Sequence, residues 1–526
     1  MRLPLHVSAK LASLLLASAL IAAPAPSPGA IDWLRVDIAQ LQRAMEAGEL
    51  SAEAVTRAHL ERIAELDGRI NAVIATDPTA LAQARTLDAE RAEGNVRGPL
   101  HGIPILLKDN IESRDQPTTA GSLALRDNHT GRDAFLVKRL RAAGAVILGK
   151  ANLSEWANFR SERSSSGWSA VGGQTRNPYD PTRNPCGSSS GSGAAVAAGF
   201  SVAAIGTETN GSIVCPASAN GNAAIKPTVG LISRTGIVPI SGNQDTAGPM
   251  ARSVVDAVLV LAGIMGADPD DAATSDRPEW SGEDLVAHLR EDGLAGRRIG
   301  VLRSSSGFHP EADELLEQAI KTLESGGAAV IDELVFDAPE GFFGDTYKVL
   351  QYEFRHDLNR YLAGLPEPEL ANLTLSGLID FNDRHADEQM PYFGQEIFIK
   401  SEARGPLSEK DYLDALARIR KAAREDGIDR LLAEHELDAL IAPTGGPAWK
   451  IDLINGDHFS GGSSTLAAVS GYPNITVPMG LVHGMPVGLS IFGARFSEPV
   501  LIEIANGFEQ ATGRLPPPSF EAREIP

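Results

Sequence analysis

Two glycine-rich segments carry serines whose surroundings suit nucleophilic chemistry. The first reads Gly187-Ser188-Ser189 and the second reads Gly211-Ser212-Ile213, with 24 positions (212 − 188) between Ser188 and Ser212. Both segments stand at the start of a predicted helix, where free backbone N–H groups and the positive helix end stabilise an anion. The two segments therefore indicate a site that can hold developing negative charge.

A serine hydroxyl is a poor nucleophile until a base takes its proton, and Lys108 is the base that the sequence offers. It directly follows the apolar run Ile103–Leu107, which predicts a buried strand. Burial lowers the pKa of a lysine because the charged form loses its hydration, so the amine becomes able to accept a proton. A histidine from elsewhere in the chain stays open as an alternative base, although none lies in the serine segments.

Other classes of site fit the sequence less well. The loop 187–193 lacks the Gly-Lys-Ser/Thr ending of a phosphate-binding loop. No His/Cys/carboxylate spacing typical of a metal site occurs, so no metal and no cofactor is predicted. The formal net charge is −21 with no basic stripe to offset it, which excludes nucleic acid as a partner.

The two cysteines, Cys186 and Cys215, each lie beside one of these serines. Neither belongs to a metal-ligand pattern. We expect buried thiols, and a disulfide between the two, which export would permit, is the alternative.

Short apolar runs alternate with helical patterns from residue 100 onward, which predicts an α/β fold around a mostly buried sheet. Core-like strands are predicted at 103–107, 146–148, 202–205, 299–302, 440–442, 475–477 and 487–491. The segment at about 256–436 is more helical and more charged than its flanks. We interpret that segment as an insert that shapes specificity within one long domain.

The first thirty residues have the pattern of an export signal. Arg2 and Lys10 precede a continuously apolar or small run at 11–23, and a Pro/Ala/Ser/Gly stretch follows at 24–30. The run is too short to cross a bilayer comfortably. We therefore predict residues 1–30 as signal peptide and cleavage region, and 31–526 as the domain that is exported to the periplasm or secreted, without a stable membrane span.

In order and spacing, these motifs resemble those of the amidase signature family. The family's core motifs match Gly187-Ser188-Ser189, Gly211-Ser212-Ile213 and Lys226-Pro227-Thr228, and the likeness extends over about residues 31–513. The segments 208–216, 244–249 and 461–464 are most similar to bacterial peptide amidases. The resemblance implies one large α/β domain with a central mixed, mostly buried β-sheet covered by helices on both faces.

The resemblance also implies a role for each motif residue. Ser212 would be the nucleophile, Ser188 the proton relay held by a cis Gly187–Ser188 peptide, and Lys108 the base. Ser189 would support the site by a hydrogen bond to Lys108. The oxyanion hole would be formed by the backbone N–H groups of Thr209, Asn210, Gly211 and Ser212.

The activity implied is hydrolysis of carboxamide bonds to acid and ammonia, on C-terminally amidated peptides or small-molecule amides, with no cofactor. A broad aliphatic or aryl amidase or esterase remains an alternative, as does a non-catalytic binding protein on the same scaffold. The wider family often has Asp, Gly and Arg where this chain has Glu208, Asn210 and Val214. The missing arginine and the acidic charge count against a tRNA amidotransferase.

Overall fold

The computed structural model of the protein describes residues 31–523, so the predicted signal segment lies outside the described residues. The helices are α1 Ile38–Glu46, α2 Ala52–Ile70, α3 Ala80–Ala92, α4 Phe135–Ala142, α5 Ser190–Ala197, α6 Val214–Ala219, α7 Val254–Ile264, α8 Gly282–Val286, α9 Pro310–Ser325, α10 Phe342–Ala363, α11 Pro368–Ala371, α12 Leu375–Arg384, α13 Ala386–Gln389, α14 Glu396–Glu402, α15 Lys410–Ala423, α16 Asp429–His435, α17 Ser464–Ser470 and α18 Glu498–Thr512. The strands are β1 Val73–Thr76, β2 Pro104–Lys108, β3 Val146–Ala151, β4 Trp168–Ser169, β5 Gly173–Gln174, β6 Ala203–Glu208, β7 Ala223–Lys226, β8 Thr246–Ala251, β9 Arg298–Leu302, β10 Ala329–Leu334, β11 Ala439–Pro443, β12 Asn474–Val482 and β13 Met485–Phe492.

Eleven of these strands form one mixed sheet in the order β1-β3-β2-β6-β8-β7-β12-β13-β11-β9-β10. The pairs β3/β2, β2/β6, β11/β9 and β9/β10 are parallel, and the remaining pairs are antiparallel. The short strands β4 and β5 form a separate hairpin. The predicted single α/β domain with a mixed central sheet is confirmed.

The sheet is covered on both faces, and its central strands are therefore buried at every position. All residues of β2, β6 and β13 are buried, although alternate side chains of a strand point to opposite faces. Apolar residues such as Ile105, Leu107 and Ile205 are fully enclosed in the main core. Strands buried on both faces read as continuous apolar runs rather than alternating ones, which is why the sequence identified them.

The sheet brings the ends of three strands to one edge. β2 and β6 are parallel neighbours, and β6 and β7 run in the same direction because both are antiparallel to β8. Their last residues are Lys108, Glu208 and Lys226, respectively. Chemistry-bearing side chains far apart in sequence therefore lie along the same edge.

The segment 256–436 contributes the helices from most of α7 to α16 and also the strands β9 and β10, which extend the main sheet. The interpretation of this segment as a specificity insert stays a prediction. Over residues 31–523, no helix is long and apolar enough to cross a membrane.

Candidate active site

Lys108 lies at the end of β2 and its side chain is fully buried. Its Nζ donates to Ser188 Oγ at 2.7 Å, to Thr207 Oγ1 at 2.8 Å and to the Thr207 backbone oxygen at 3.1 Å. Asn110 Nδ2 also donates to Thr207 Oγ1, at 2.9 Å. The amine is thus held in one orientation by Thr207 on the neighbouring strand β6 and by Ser188 in the loop before α5.

Burial lowers the pKa of Lys108 to about 7, since the enclosed ammonium loses its hydration. Asp245 and Glu208 oppose this effect because their negative charges favour the protonated lysine. A lysine with a pKa near neutrality exchanges protons readily at physiological pH. This is the property that a general base requires.

Ser188 follows a cis Gly187–Ser188 peptide and is fully buried. Its backbone oxygen accepts from the N–H of Ser154 at 3.0 Å, and its hydroxyl accepts from Lys108. Ser188 is therefore held from both its main chain and its side chain. The N–H of the next residue, Ser189, donates to the Ser212 backbone oxygen at 3.1 Å, which joins the two serine segments.

The predicted hydrogen bond between Ser189 and Lys108 is wrong. Ser189 Oγ donates to the backbone oxygen of Thr207 and accepts from the Thr207 N–H, both at 3.1 Å. Lys108 and Ser189 instead share a partner, because both donate to the backbone oxygen of Thr207. Thr207 itself, which the sequence did not single out, supplies the direct contacts to Lys108.

Ser212 lies on the turn between β6 and α6, and it retains 8% of its accessible surface, whereas Ser188 retains none. Glu208 stabilises this turn, because its Oε2 accepts from the N–H groups of Ile213 at 2.8 Å and Val214 at 3.1 Å. A carboxylate at the N-terminus of a helix is favourable for the same reason as any anion there. The sequence showed Glu208 only as a variant position, and the structure reveals it as the anchor of the turn.

The turn requires glycine at position 211. Gly211 has φ +82°, and a Cβ at this position would lie 2.9 Å from Ser464 Oγ. Ser464 Oγ donates to Asn210 Oδ1 at 2.7 Å, and Asn210 Nδ2 donates to Thr465 Oγ1 at 3.2 Å. The start of α17 is therefore packed directly against the turn that precedes Ser212.

The turn leaves backbone donors available. Within residues 31–523, no hydrogen-bond acceptor engages the N–H groups of Thr209, Asn210, Gly211 and Ser212. Thr209 Oγ1 donates to Asp245 Oδ1 at 2.6 Å, and this hydrogen bond fixes the Thr209 side chain. Asp245 also accepts from the N–H groups of Ile240 and Ser241, and burial raises its pKa to about 6. The four neighbouring N–H groups can therefore bind an oxyanion.

The two cysteines form a disulfide, so the expectation of buried thiols is wrong. Cys186 and Cys215 are 6.0 Å apart at their Cα atoms, within the range of a disulfide. The spacing of 29 residues between the two cysteines does not predict their contact. The contact depends on how α5 and β6, which lie between them in the chain, pack in the fold.

The histidine alternative finds no support in the described residues. His101 is buried and contacts the backbone oxygen of Leu87 at 2.9 Å, away from the serines. No histidine within 31–523 hydrogen-bonds to Ser188 or Ser212. The same part of the chain contains no group of three His, Cys, Asp or Glu side chains suited to a metal ion.

A cavity of about 800 Å³ reaches the partners of Lys108. Its lining includes Asn110, Thr207, Thr209 and Asp245. Charged side chains from several elements also line it, among them Arg132, Asp133, Arg234, Asp271, Glu353 and Asp357. The cavity has the size of a small-molecule site.

The match to the amidase family model and the similarity to a solved peptide amidase place this protein among the hydrolases that act on amide carbon–nitrogen bonds. The chain belongs to the amidase signature family, because the sequence model of the amidase family matches residues 54–502. The resemblance inferred from the serine and Lys-Pro-Thr motifs is thereby confirmed.

Three relatives illustrate the range of similar proteins. The crystal structure of a peptide amidase from Stenotrophomonas maltophilia is similar at 49% identity and a TM-score of 0.89, covering 93% of this chain and 100% of the other. A probable amidase of Arabidopsis thaliana is 42% identical over 92% of this chain and 91% of its own length. One subunit of the glutamyl-tRNA(Gln) amidotransferase of Moorella thermoacetica is 35% identical, over 90% of this chain and 96% of its own length.

Proposed function

We propose that this protein is an exported amidase that hydrolyses the terminal carboxamide of amidated peptides to a carboxylic acid and ammonia. Ser212 is the nucleophile, Ser188 relays the proton and Lys108 is the base. The observation that carries this proposal is the 2.7 Å contact between the fully buried Lys108 amine and the Ser188 hydroxyl. A neutral lysine in this position can draw a proton through Ser188 from Ser212.

The first half-reaction forms an acyl-enzyme. Ser212 Oγ attacks the carbonyl carbon while its proton passes to Ser188 Oγ, whose own proton passes to Lys108 Nζ. The carbonyl oxygen becomes an oxyanion bound by the N–H groups of residues 209–212. Each donor of such a hole stabilises the transition state by about 3–4 kcal/mol.

The tetrahedral intermediate then collapses and the carbon–nitrogen bond breaks. The ammonium of Lys108 returns its proton through Ser188 to the leaving nitrogen, which departs as ammonia. Lys108 is again neutral, as it was at the start of the cycle.

The second half-reaction restores the enzyme. Water attacks the acyl carbon and gives a proton to the Ser188–Lys108 relay, and the relay returns it to Ser212 Oγ as the ester bond breaks. The sum of both halves is one amide and one water converted to one acid and one ammonia. Each proton transfer is assigned to a side chain of this protein.

Two observations support an amidated peptide as the substrate. The chain is similar over nearly its whole described length to a crystallised peptide amidase. The cavity beside the site carries charged groups such as Arg132, Asp133 and Asp271, and a long aliphatic chain would remove water from them without replacing its hydrogen bonds. A peptide, which has donors and acceptors along its backbone, suits this lining better.

Export is supported by the amino-terminal pattern and by the disulfide. Residues 1–30 combine a basic start, an apolar run and a small-residue stretch. Disulfides persist in oxidising compartments and are rare in the cytosol, and Cys186–Cys215 is one. Amino-terminal sequencing of the protein from a bacterial periplasm or medium tests this: a start within or just after residues 22–30 is expected, and a retained Met1 on active, cell-associated protein contradicts export.

The test of the activity is ammonia release from three substrate sets: C-terminally amidated dipeptides, aryl amides and aliphatic amides. Ser212→Ala, purified in parallel, is the control for contaminating activity. Release from the amidated dipeptides that is absent in the variant supports the proposal. Activity confined to aryl or aliphatic amides retains the mechanism and replaces the substrate, while silence on all three sets favours a non-catalytic binding protein.

A further inference from the structure

The Cys186–Cys215 disulfide encloses both serine segments in one covalent loop. Cys186 stands two residues before Ser188, and Cys215 stands three residues after Ser212. The bond therefore connects the start of the Ser188 segment with the chain just after the Ser212 turn. Both proposed proton-transfer hydroxyls belong to residues inside the loop.

Each half of the disulfide is rigidly joined to its own serine segment. The N–H of Cys186 donates to Asn184 Oδ1 at 2.8 Å, and its backbone oxygen accepts from Ser190 Oγ at 2.6 Å. The N–H of Cys215 donates to the backbone oxygen of Gly211 at 2.8 Å. A displacement of either sulfur is therefore transmitted to the main chain beside Ser188 or Ser212.

A small set of other hydrogen bonds also joins these parts of the chain, including two between Ser189 Oγ and the main chain of Thr207. The Ser189 N–H donates to the Ser212 backbone oxygen at 3.1 Å, and Asn220 Nδ2 donates to the Pro185 backbone oxygen at 2.9 Å. Cys186 is buried and Cys215 is partly buried. The disulfide is the covalent member of this small set of connections.

We propose that Cys186 and Cys215 are positioning residues whose disulfide keeps the Ser188 hydroxyl in register with that of Ser212. This inference rests on the roles proposed above for the two serines. Proton relay requires hydrogen-bond distances, and a misplacement of about 1 Å can lower a rate about 100-fold. Opening the disulfide lets the Ser212 turn move relative to the relay while the sheet that carries Lys108 stays intact.

The test compares the same full-length preparation in two redox states. A dithiol reagent converts the protein disulfide to two thiols and is itself oxidised to a cyclic disulfide, a balanced exchange of two electrons and two protons. Thiol titration establishes full reduction, and circular dichroism and the melting temperature establish that the protein is still folded. Initial rates on an amidated dipeptide then give kcat and KM for each state, well below both melting temperatures.

We expect reduction to lower kcat by about tenfold or more with little change in KM, and reoxidation to restore it. The rate at which a serine-directed fluorophosphonate labels Ser212 should fall in parallel. The double variant Cys186→Ala/Cys215→Ala should match the reduced enzyme and should ignore the dithiol. Should that variant fail to fold, the redox comparison on the unmodified protein decides.

Equal kcat in the fully reduced and oxidised states overturns the inference, and so does a loss of activity that follows unfolding alone. A disulfide that only stabilises the fold would lower the melting temperature and leave kcat of the folded fraction unchanged. In either case the oxidised enzyme still hydrolyses amides through Ser212, so the proposed function stands. If the oxidised enzyme hydrolyses no amide, the proposed function and this inference fail together.

Discussion

The Lys108 amine and the Ser188 hydroxyl lie 2.7 Å apart although 80 positions separate them in the chain. Lys108 ends β2, and Ser188 lies in the loop that leads into α5 and then into the neighbouring strand β6. The parallel pairing of β2 with β6 brings these segments to the same sheet edge. The contact between the two residues links a buried lysine to a serine segment.

Ser212→Ala should abolish amide hydrolysis, because no other hydroxyl can form the acyl-enzyme at this position. Loss of a serine nucleophile lowers kcat by up to about 10⁶-fold in a well-studied serine protease, and a loss of at least about 10⁴-fold is expected here. The measurement is ammonia release together with labelling by a fluorophosphonate, located by mass spectrometry. Ser275→Ala, at an exposed serine, is the matched control and should behave as wild type.

Lys108→Met should separate catalysis from stability. Loss of a general base lowers the rate by about 10²–10⁴-fold. The folded lysine has a pKa near 7 against 10.5 for an ordinary lysine, so its burial costs stability fully below pH 7 and progressively less up to pH 10.5. Methionine removes that cost, so the melting temperature at pH 7 should stay the same or rise.

The measurements for Lys108→Met are kcat on an amidated dipeptide and a thermal melt at the same pH. Lys321→Met, at an exposed lysine, controls for the loss of one charge. An active Lys108→Met enzyme would rule out the lysine as the base. A large fall in melting temperature would instead indicate a mainly structural role for Lys108.

The rate should rise with pH through about 7, because only neutral Lys108 accepts a proton. Asp245 faces this lysine and stabilises its protonated form, so removing that charge lowers the pKa of Lys108. Asp245→Asn should therefore move the acidic limb of the kcat profile to lower pH. The asparagine can still accept from the N–H groups of Ile240 and Ser241 and can donate to Thr209, so the local structure should persist.

The measurement for Asp245→Asn is a pH profile of kcat from 5 to 9 on a neutral amidated dipeptide, beside wild type. Asp245 itself has a raised pKa of about 6, and the variant removes this second titration from the profile. A limb that moves to higher pH contradicts the electrostatic coupling of Asp245 to Lys108.

Thr207→Val should lower kcat by about 10- to 100-fold while leaving KM nearly unchanged, since Lys108 loses a partner that orients it. The valine also leaves Asn110 Nδ2 without its hydroxyl acceptor, at a cost in stability of about 1–3 kcal/mol. Urea unfolding and steady-state kinetics measure the two effects. Thr207→Ser, which keeps the hydroxyl, should restore most of the activity, and failure of this rescue would argue against the orienting role.

The fold class could be predicted because buried strands leave a direct trace in the sequence. The apolar run Ile103–Leu107 overlaps β2 at all but its first residue, and the run at 487–491 lies within β13. Burial on both faces requires apolar side chains at consecutive positions, and this requirement does not depend on the neighbouring strands.

The serine motifs and Lys108 could also be identified from the sequence, because glycine-rich turns and a lysine after a buried strand are local patterns. The residues that contact them could not be identified in this way. Thr207, Glu208 and Asp245 acquire their roles only when β6 and β8 pair and bring them around Lys108 and the Ser212 turn. The resemblance to a family could suggest which residues react, but it did not give the partners that hold them.

The two cysteines and Ser189 show the same division most clearly. The buried strands and the glycine turns could be predicted from the order of residues along the chain, because these features depend on local geometry and burial. The contact of Cys186 with Cys215, and the bonding of Ser189 to Thr207 rather than to Lys108, arise only when the sheet assembles. Both outcomes depend on distances of a few ångströms between segments that the sheet brings together, and such distances are set by packing rather than by spacing along the chain.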